Sequence, residues 1–545
     1  MTSDSRAPAR GARATGVRAP VYLSIAIGIG GIAAAPTAAV ATDDEVELVS
    51  LSPKMAHALP YAWLGTQGAH HSVSRDGRYV AFQAYANGHW HIYVRDTVMG
   101  RTQRVSVSSS GEPANYDSED PSISDDGRYV VFESAATNLA AGDRGWGGIF
   151  LHDRWSGATE RVDVNTQERS ANHYSYAPAV SGNGRFVVFV SYASNLVADD
   201  ANGHLTDVFV RDRTRAVTEL ASVATNGLQS DGTSEQPSIS ADGRYVVFVS
   251  NASNLVTDGV AGGFRVYLRD RVASVTELES RRDSGFEANE SWPCVSADGR
   301  YVAFGSSAAD FVTHDTNRAT DIFVRDRDRD IIRRVSVSGI EAQANGGSDF
   351  PSISADGRYV AFQSSASNLV PRDVNDMSDV FVRDLERGLT KRISSSGHTP
   401  YGNLDSISAD GRHVAFDSAA SVAGATGVYL QQVGDTGWDI YGLALRPGAL
   451  DFGSVALQTS ATQAVWVKNK STLPLPIRRI ELAGPDASQF SFDSKCGSSI
   501  PVDTGCPVKV TFHPASKGPK YAALKVFAGE DLLRTAALAG VGAVP

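Results

Sequence analysis

The sequence predicts an all-β chain: a seven-bladed β-propeller with four antiparallel strands per blade, followed by an immunoglobulin-like β-sandwich. Three observations predict it. The string Ser-x-Asp-Gly-Arg-Tyr-Val-x-Phe recurs with its glycine at Gly77, Gly127, Gly184, Gly243, Gly299, Gly357 and Gly411, at intervals of 50, 57, 59, 56, 58 and 54 residues. Each period holds four short alternating runs bounded by turn residues. The repeat then stops near residue 440, where composition changes.

The sixth copy shows the elements of one period. Its runs are Pro351–Ser354, Tyr359–Phe362, Asp379–Asp384 and Thr390–Ser394, each rich in β-branched or aromatic residues. Asp356-Gly357 joins the first two, as Asp242-Gly243 and Asn183-Gly184 do in other copies. These dipeptides predict a tight type I′ hairpin with positive φ at both central residues. Arg387-Gly388 marks a second turn. Hairpin chemistry in every copy favours propeller blades over a solenoid, whose repeats are shorter and stack parallel strands.

The ends of the repeat specify how the ring closes. The third run occurs seven times: Ile92–Asp96, Ile149–Asp153, Val208–Asp212, Val266–Asp270, Ile322–Asp326, Val380–Asp384 and Val428–Gln432. A fourth run follows only the first six. Glu47–Leu51 reads as the missing one, so residues 46–52 are expected to supply the outer strand of the last blade and leave no long unpaired edge.

The N-terminal 41 residues have a different character. Arg6, Arg10, Arg13 and Arg18 form a positive head, Val21–Ala35 an apolar stretch, and Ala39-Val40-Ala41 a small-x-small cleavage site. This pattern predicts a Sec-type signal peptide and a secreted, periplasmic or cell-surface protein with no transmembrane segment after cleavage. With residues 1–41 removed, 46 basic residues face 60 acidic ones, and the net charge moves from −11 to −14. That acidity argues against a nucleic-acid partner. The expected organisation is 1–41 signal peptide, 42–440 propeller and 445–545 sandwich, as a monomer.

The repeated string, with Asn-Leu-Val-x-x-Asp-x-Asn and Asp-Val-Phe-Val-Arg-Asp, resembles the TolB-like, WD-like propeller repeat of bacterial exported proteins, over about residues 46–440. The resemblance implies an interaction scaffold. After residue 445, lysine appears seven times, against Lys54 and Lys391 alone in residues 42–440. Alternating runs persist at Ala464–Lys468, Ile477–Leu482, Val508–Phe512, Ala522–Phe527 and Thr535–Leu538. Leu450–Gly453, Val467–Asn469, Phe490, Cys496, Cys506, Val510–Pro514 and Leu538–Gly540 resemble the choice-of-anchor D, abnormal-spindle/hydin-type immunoglobulin-like domains. That resemblance implies a spacer or adhesion module, with Cys496 and Cys506 as a disulfide. Cys294 replaces a serine in a repeated strand and reads as a small buried residue.

Enzyme motifs are missing from the chain: it has no His-Glu-x-x-His, Cys-x-x-Cys or Gly-x-Ser-x-Gly, and no phosphate-binding glycine loop. His70-His71 and His89-x-His91 read as surface or packing residues. One pattern is compatible with Ca²⁺, which takes oxygen ligands from flexible loops. It is an Asp-x-Asn followed by an aspartate, at Asp200, Asn202 and Asp207, at Asp315, Asn317 and Asp321, and at Asp373, Asn375 and Asp379. The same residues also suit a turn before a strand. No other cofactor is expected. The arginines of Asp-Gly-Arg read as framework, because a site used once is rarely copied seven times.

Function is expected where the copies differ. The loops leading into the first strands carry Tyr61, Trp63, Tyr116, Asp120, His173, Tyr176, Trp292, Phe350 and Tyr401. Aromatics beside acids and amides suit a peptide or glycan. The leading expectation is a non-enzymatic binding or scaffold protein for an envelope or extracellular protein or polysaccharide. The alternatives are a polysaccharide hydrolase or lyase with a site at the channel mouth, and a Ca²⁺-stabilised surface protein.

Overall fold

The computed structural model describes residues 46–543 apart from 51–61, 65–71, 141–146, 199, 204, 258–262, 282–289, 371–372, 374–376, 395–397, 401–405, 421–425, 434–442, 448, 470–473, 502–503 and 529–531. The expected signal peptide, Tyr61, His70-His71, Asn375 and Tyr401 lie outside the described residues. Apart from one 3-10 turn at Ala487–Gln489, every described element is a β-strand.

Four-stranded antiparallel sheets of consecutive strands repeat along the chain, over 62–104, 118–161, 175–220, 234–278, 290–334 and 348–392. In a representative sheet, Ser234–Ile239 pairs with Tyr245–Ser250, then Arg265–Asp270, then Val275–Leu278. This repetition is consistent with a β-propeller. The pairing register places one aromatic of the second strand opposite one of the third. Phe82–Tyr93, Phe132–Phe150, Phe189–Phe209, Phe248–Tyr267, Phe304–Phe323, Phe362–Phe381 and Phe416–Tyr429 stack at 5.8–6.2 Å. Such cross-strand pairs are the unit of sheet stabilisation, and all of these are buried.

One further sheet joins distant parts of the chain. His398–Pro400 and Ser406–Ile407 pair with His413–Ala420, which pairs with Thr426–Gln432, which pairs with Val46–Leu48. The N-terminal strand also reproduces a latch found in the consecutive sheets. There, a serine hydroxyl of the outer segment accepts an amide near the start of the third strand, as in Ser106 to Ile92, Ser222 to Val208 and Ser336 to Ile322. In the last sheet the acceptor for Val428 N–H is Ser50 Oγ, at 3.2 Å.

The Asp-Gly hairpins differ from the type I′ expectation. Gly77 has φ +74°, but Asp76 is not left-handed, and Gly77 N–H donates to the Ser74 carbonyl at 3.0 Å. The loop is therefore a type I turn ending in a left-handed glycine. Side chains fix it: Ser74 Oγ donates to Asp76 Oδ1, and Asp76 Oδ1 accepts the Arg78 amide. The arginine then spans to the end of the third strand, as Arg78 does to Asp96 and Arg300 to Asp326 through two N–H···O bonds each. The same glycine seats the neighbouring sheet. A Cβ on Gly299 would lie 2.1 Å from the Tyr245 ring, and one on Gly77 would lie 2.3 Å from His413 of the last sheet.

Residues 443–543 form two sheets. One contains Leu443–Arg446, Ala461–Asn469, Gly505–Phe512 and Phe490–Ser494; the other contains Ala449–Ala456, Leu532–Ala543, Gly518–Ala528, Leu475–Ala483 and Ser499–Ile500. Phe452 of the second sheet packs on Phe490 and Phe512 of the first, at 5.9 and 5.8 Å. Cys496 and Cys506 are joined as a disulfide, with Cα atoms 5.0 Å apart, and Cys294 is buried and unpaired.

Candidate functional site

The inner strands carry a repeated irregularity at one end. In five sheets the register of the first strand shifts over a Pro-containing step. The residue before that proline is left-handed: Asp120 at φ +51°, Ala177 at +50°, Gln236 at +52°, Trp292 at +53° and Phe350 at +56°. A non-glycine residue in this region costs of the order of 1 kcal/mol or more, and bulges of this kind re-aim side chains. Proline fits the unpaired step because it has no N–H to satisfy. Three residues beyond each bulge, Ile123, Val180, Ile239, Val295 and Ile353 line a shared cavity of about 40 Å³, together with Val73 and Ile407. Each bulge therefore sits on a first strand that lines this cavity.

Two pairs of neighbouring bulges touch. Trp292 N–H donates to Gln236 Oε1 at 2.7 Å, and the Trp292 and Phe350 rings lie 5.0 Å apart. Asp120 N–H donates to Gln83 Oε1 of the preceding sheet. One residue before the bulge, Glu119, Tyr176, Glu235, Ser291 and Asp349 share a register position, and Trp63 occupies it in the first sheet, opposite Gln83. Tyr176 stacks on Tyr174 at 5.6 Å and lies 6.1 Å from Tyr192, which meets His173 at 5.4 Å. Tyr116 is exposed and lies 5.2 Å from His89, whose Nδ1 is 3.3 Å from Asp117. The structure thus gathers Trp292 with Phe350, and His173 with Tyr176. It sets Tyr116 with His89, and Asp120 beside Glu133 and Tyr174.

Sequence reasoning missed a group of acids beside Asp120. Glu133 stands directly opposite Glu119 across two paired strands. Tyr174 O–H donates to Glu133 Oε1 at 3.0 Å, the Ala177 N–H also bonds this carboxyl, and Glu133 Oε2 is shielded from solvent. Burial, and then the charge of Asp120, pushes the Glu133 carboxyl up to about 8. Burial also raises Glu119, and burial with the Glu133 charge raises the Tyr174 phenol. A signal did exist: the residue after the second-strand phenylalanine is Gln83, Glu133, Val190, Val249, Gly305, Gln363 and Asp417 in the seven copies, an acid in two of them.

The Asp/Asn loops are held by the protein's own N–H groups. Gln229 Nε2 bridges Asp200 and Asp207 at 2.9 and 2.8 Å, and Asn202 Nδ2 donates to Asp207 at 2.9 Å. Gln343 Nε2 bridges Asp315 and Asp321 at 2.7 and 3.0 Å, and Asn317 Nδ2 lies 3.3 Å from Asp321. Arg392 Nη1 takes the same place between Asp373 and Asp379, at 3.1 and 3.5 Å. Ser222 and Ser336 donate to the other oxygens of Asp207 and Asp321. The aspartates thereby anchor the latch between third strand and outer segment. Among the described residues, no group of three or more His, Cys, Asp or Glu side chains is arranged to hold a metal ion. None of the described helical elements is long and apolar enough to cross a membrane.

No family model matches the chain, and no characterised protein matches it by sequence. Among solved structures, it is similar to an oligogalacturonate lyase in complex with manganese, at 13% identity over 73% of this chain and 95% of that one, with a TM-score of 0.47. It is similar to an oligogalacturonate lyase from Vibrio parahaemolyticus, at 12% identity over 72% and 97%, with a TM-score of 0.44. It is also similar to a structure assigned as TolB from Agrobacterium tumefaciens, at 18% identity over 61% and 94%, with a TM-score of 0.35.

Proposed function

We propose that this chain is an exported binding protein. In this reading residues 42–440 close a seven-bladed ring, residues 445–545 form an immunoglobulin-like spacer, and the end of the ring carrying the bulges recognises an envelope or extracellular protein or polysaccharide. The observation that carries it is the repeated pre-proline bulge. One backbone device brings unlike side chains, Asp120, Ala177, Gln236, Trp292 and Phe350, to equivalent places on neighbouring sheets. A constant frame with variable residues is how recognition surfaces are built on rigid scaffolds. The apolar residue that each of seven inner segments contributes to the shared cavity supports the ring. The charge of −14 after residue 41 and the disulfide support export.

The test is capture from an envelope extract, in parallel with a glycan array, using residues 42–545 and a Trp292→Ala variant. A partner or glycan retained by the wild type and lost by Trp292→Ala supports the reading. Retention by both sinks the assignment of this surface.

A second reading, a polysaccharide hydrolase or lyase, is favoured by one observation. A carboxyl raised to about 8 beside other acids has the protonation of a general acid at neutral pH. It predicts release of reducing or unsaturated ends from an acidic polysaccharide, abolished by Glu133→Gln.

A further inference from the structure

We propose that the hairpin tip of the first sheet and the entry loop of the second form a stacking site for a neutral pyranose chain, with Tyr85, Trp90 and Tyr116 as its platform and Asp117 as the acceptor for sugar hydroxyls. The proposal rests on the binding reading above and commits one point of that surface to a polysaccharide.

Strand lengths supply the first argument. In the five sheets over 118–392 the second strand ends two residues after its stacked phenylalanine, at Ser134, Ser191, Ser250, Ser306 and Ser364. In the first sheet it runs two residues further, to Ala86, and the third strand starts at His89. Asn87 at φ +55° and Gly88 at φ +93° close this longer hairpin as a type I′ turn. The extension adds two pairs, Tyr85 opposite Trp90 and Ala86 opposite His89. Both lie outward of the Trp63–Gln83 pair, at the end where the other sheets carry their bulges.

Exposure supplies the second argument. The Tyr85 and Trp90 rings meet edge to face at 5.5 Å, and Tyr85 is 40% exposed. On the second sheet's entry loop, Tyr116 is 54% exposed, with its ring 5.2 Å from that of His89. The cross-strand aromatic pairs of the sheets are buried, whereas these tyrosines hold apolar surface in water that a stacked ligand would cover.

Asp117 fixes the two sides to each other. Its Oδ1 accepts the Trp90 N–H at 2.9 Å and lies 3.3 Å from His89 Nδ1. The loop carrying Tyr116 is thereby tied to the hairpin carrying Trp90, and the rings are positioned before a ligand arrives. The Asp117 side chain is itself 40% exposed, and among the described residues no donor is paired with its Oδ2.

The chemistry of the site selects the ligand. A pyranose presents C–H bonds on one face, which stack on aromatic rings, and hydroxyls around its rim, which donate to carboxylates. Burial, and then the charges of Asp120 and Asp117, raises the Glu119 carboxyl, so acids crowd this edge of the surface. A uronate chain would bring like charge to them, whereas a neutral chain brings only donors.

The probes are cellohexaose, the N-acetylglucosamine hexamer, a galacturonate hexamer and a glucosamine hexamer, titrated calorimetrically into the protein. At least one of the two neutral hexamers should give a saturable heat and bind about tenfold or more tighter than the galacturonate hexamer. Trp90→Ala and Tyr116→Ala should each weaken that binding about tenfold. Tyr116 is exposed, so its truncation should leave the melting transition in place. Trp155→Ala removes an exposed tryptophan from a turn between third and fourth strands and should bind as the wild type does. No heat from either neutral hexamer, tighter binding of either charged hexamer, or binding indifferent to both Trp90→Ala and Tyr116→Ala would overturn the proposal. If Trp292→Ala loses an extract-derived partner while neither neutral hexamer binds, the binding reading stands and this one falls.

Discussion

Glu133 faces Glu119 from the first strand of its own sheet, Asp120 from the bulge and Tyr174 from the loop leading into the next sheet. Its folded-state value of about 8 lies above the ordinary glutamate value, so the native state binds a proton that the unfolded chain releases. Stability is therefore lost as pH rises from about 4.5 through about 8. Glu133→Gln should remove this loss and raise stability at pH 8 by ~2 kcal/mol relative to wild type, with little change at pH 5. Urea titrations at both pH values check it, and equal curves would show that Glu133 is ionised at no cost. His91 and His152 act in the other direction. Burial holds both down to about 4, so the fold accommodates their neutral forms, and stability falls as pH drops from about 6.5 towards 4. In Glu133→Gln the pH of maximum stability should accordingly move upward.

At the scale of the blade, the glycine of each hairpin is a seat for the neighbour's aromatic ring. Gly299 combines φ +75° with a Tyr245 ring atom 2.1 Å from where a Cβ would stand. Gly299→Ala should cost about 3 kcal/mol, from left-handed strain and overpacking together. Gly347→Ala, where a Cβ meets nothing within 4 Å, should be close to neutral in the same denaturation experiment. The Asp/Asn loops make a different prediction. Since Gln229, Gln343 and Arg392 already bridge the carboxylates, calcium titrated to millimolar concentration into EDTA-treated protein should give no heat; a saturable heat would restore the ion-site expectation. The four-run period and the framework role of the Asp-Gly-Arg arginines were legible in the sequence, because each obeys a local rule repeated in register; the aromatic pairs came from the strand register. The turn type was not, because Asp-Gly alone does not reveal that Ser74 and Asp76 fix a longer loop. The bulges were not legible either, since a left-handed Trp292 or Phe350 before proline goes against backbone preference. Glu133 was hidden beside a core phenylalanine. Its partnership with Glu119 arises only once two strands are paired.

For the whole molecule, the contact that matters most joins Ser50 to Val428, 378 residues apart. Deleting residues 42–55 removes the outer strand of the last sheet and bares the edge of Thr426–Gln432. The expected result is a melting temperature lower by roughly 10 °C or more, and self-association through the open edge. An unchanged melting curve would show that Val46–Leu48 is dispensable. The same pairing fixes an order of events in the life of the chain. The segment near the start can find its partner only after the 378 residues that separate Ser50 from Val428 have followed it. Until then the last sheet lacks an edge strand, and the loop-closure entropy of this long-range pairing is still to be lost. The last sheet is therefore completed only when the far end of the chain is in place, so the ends of the chain lock together last.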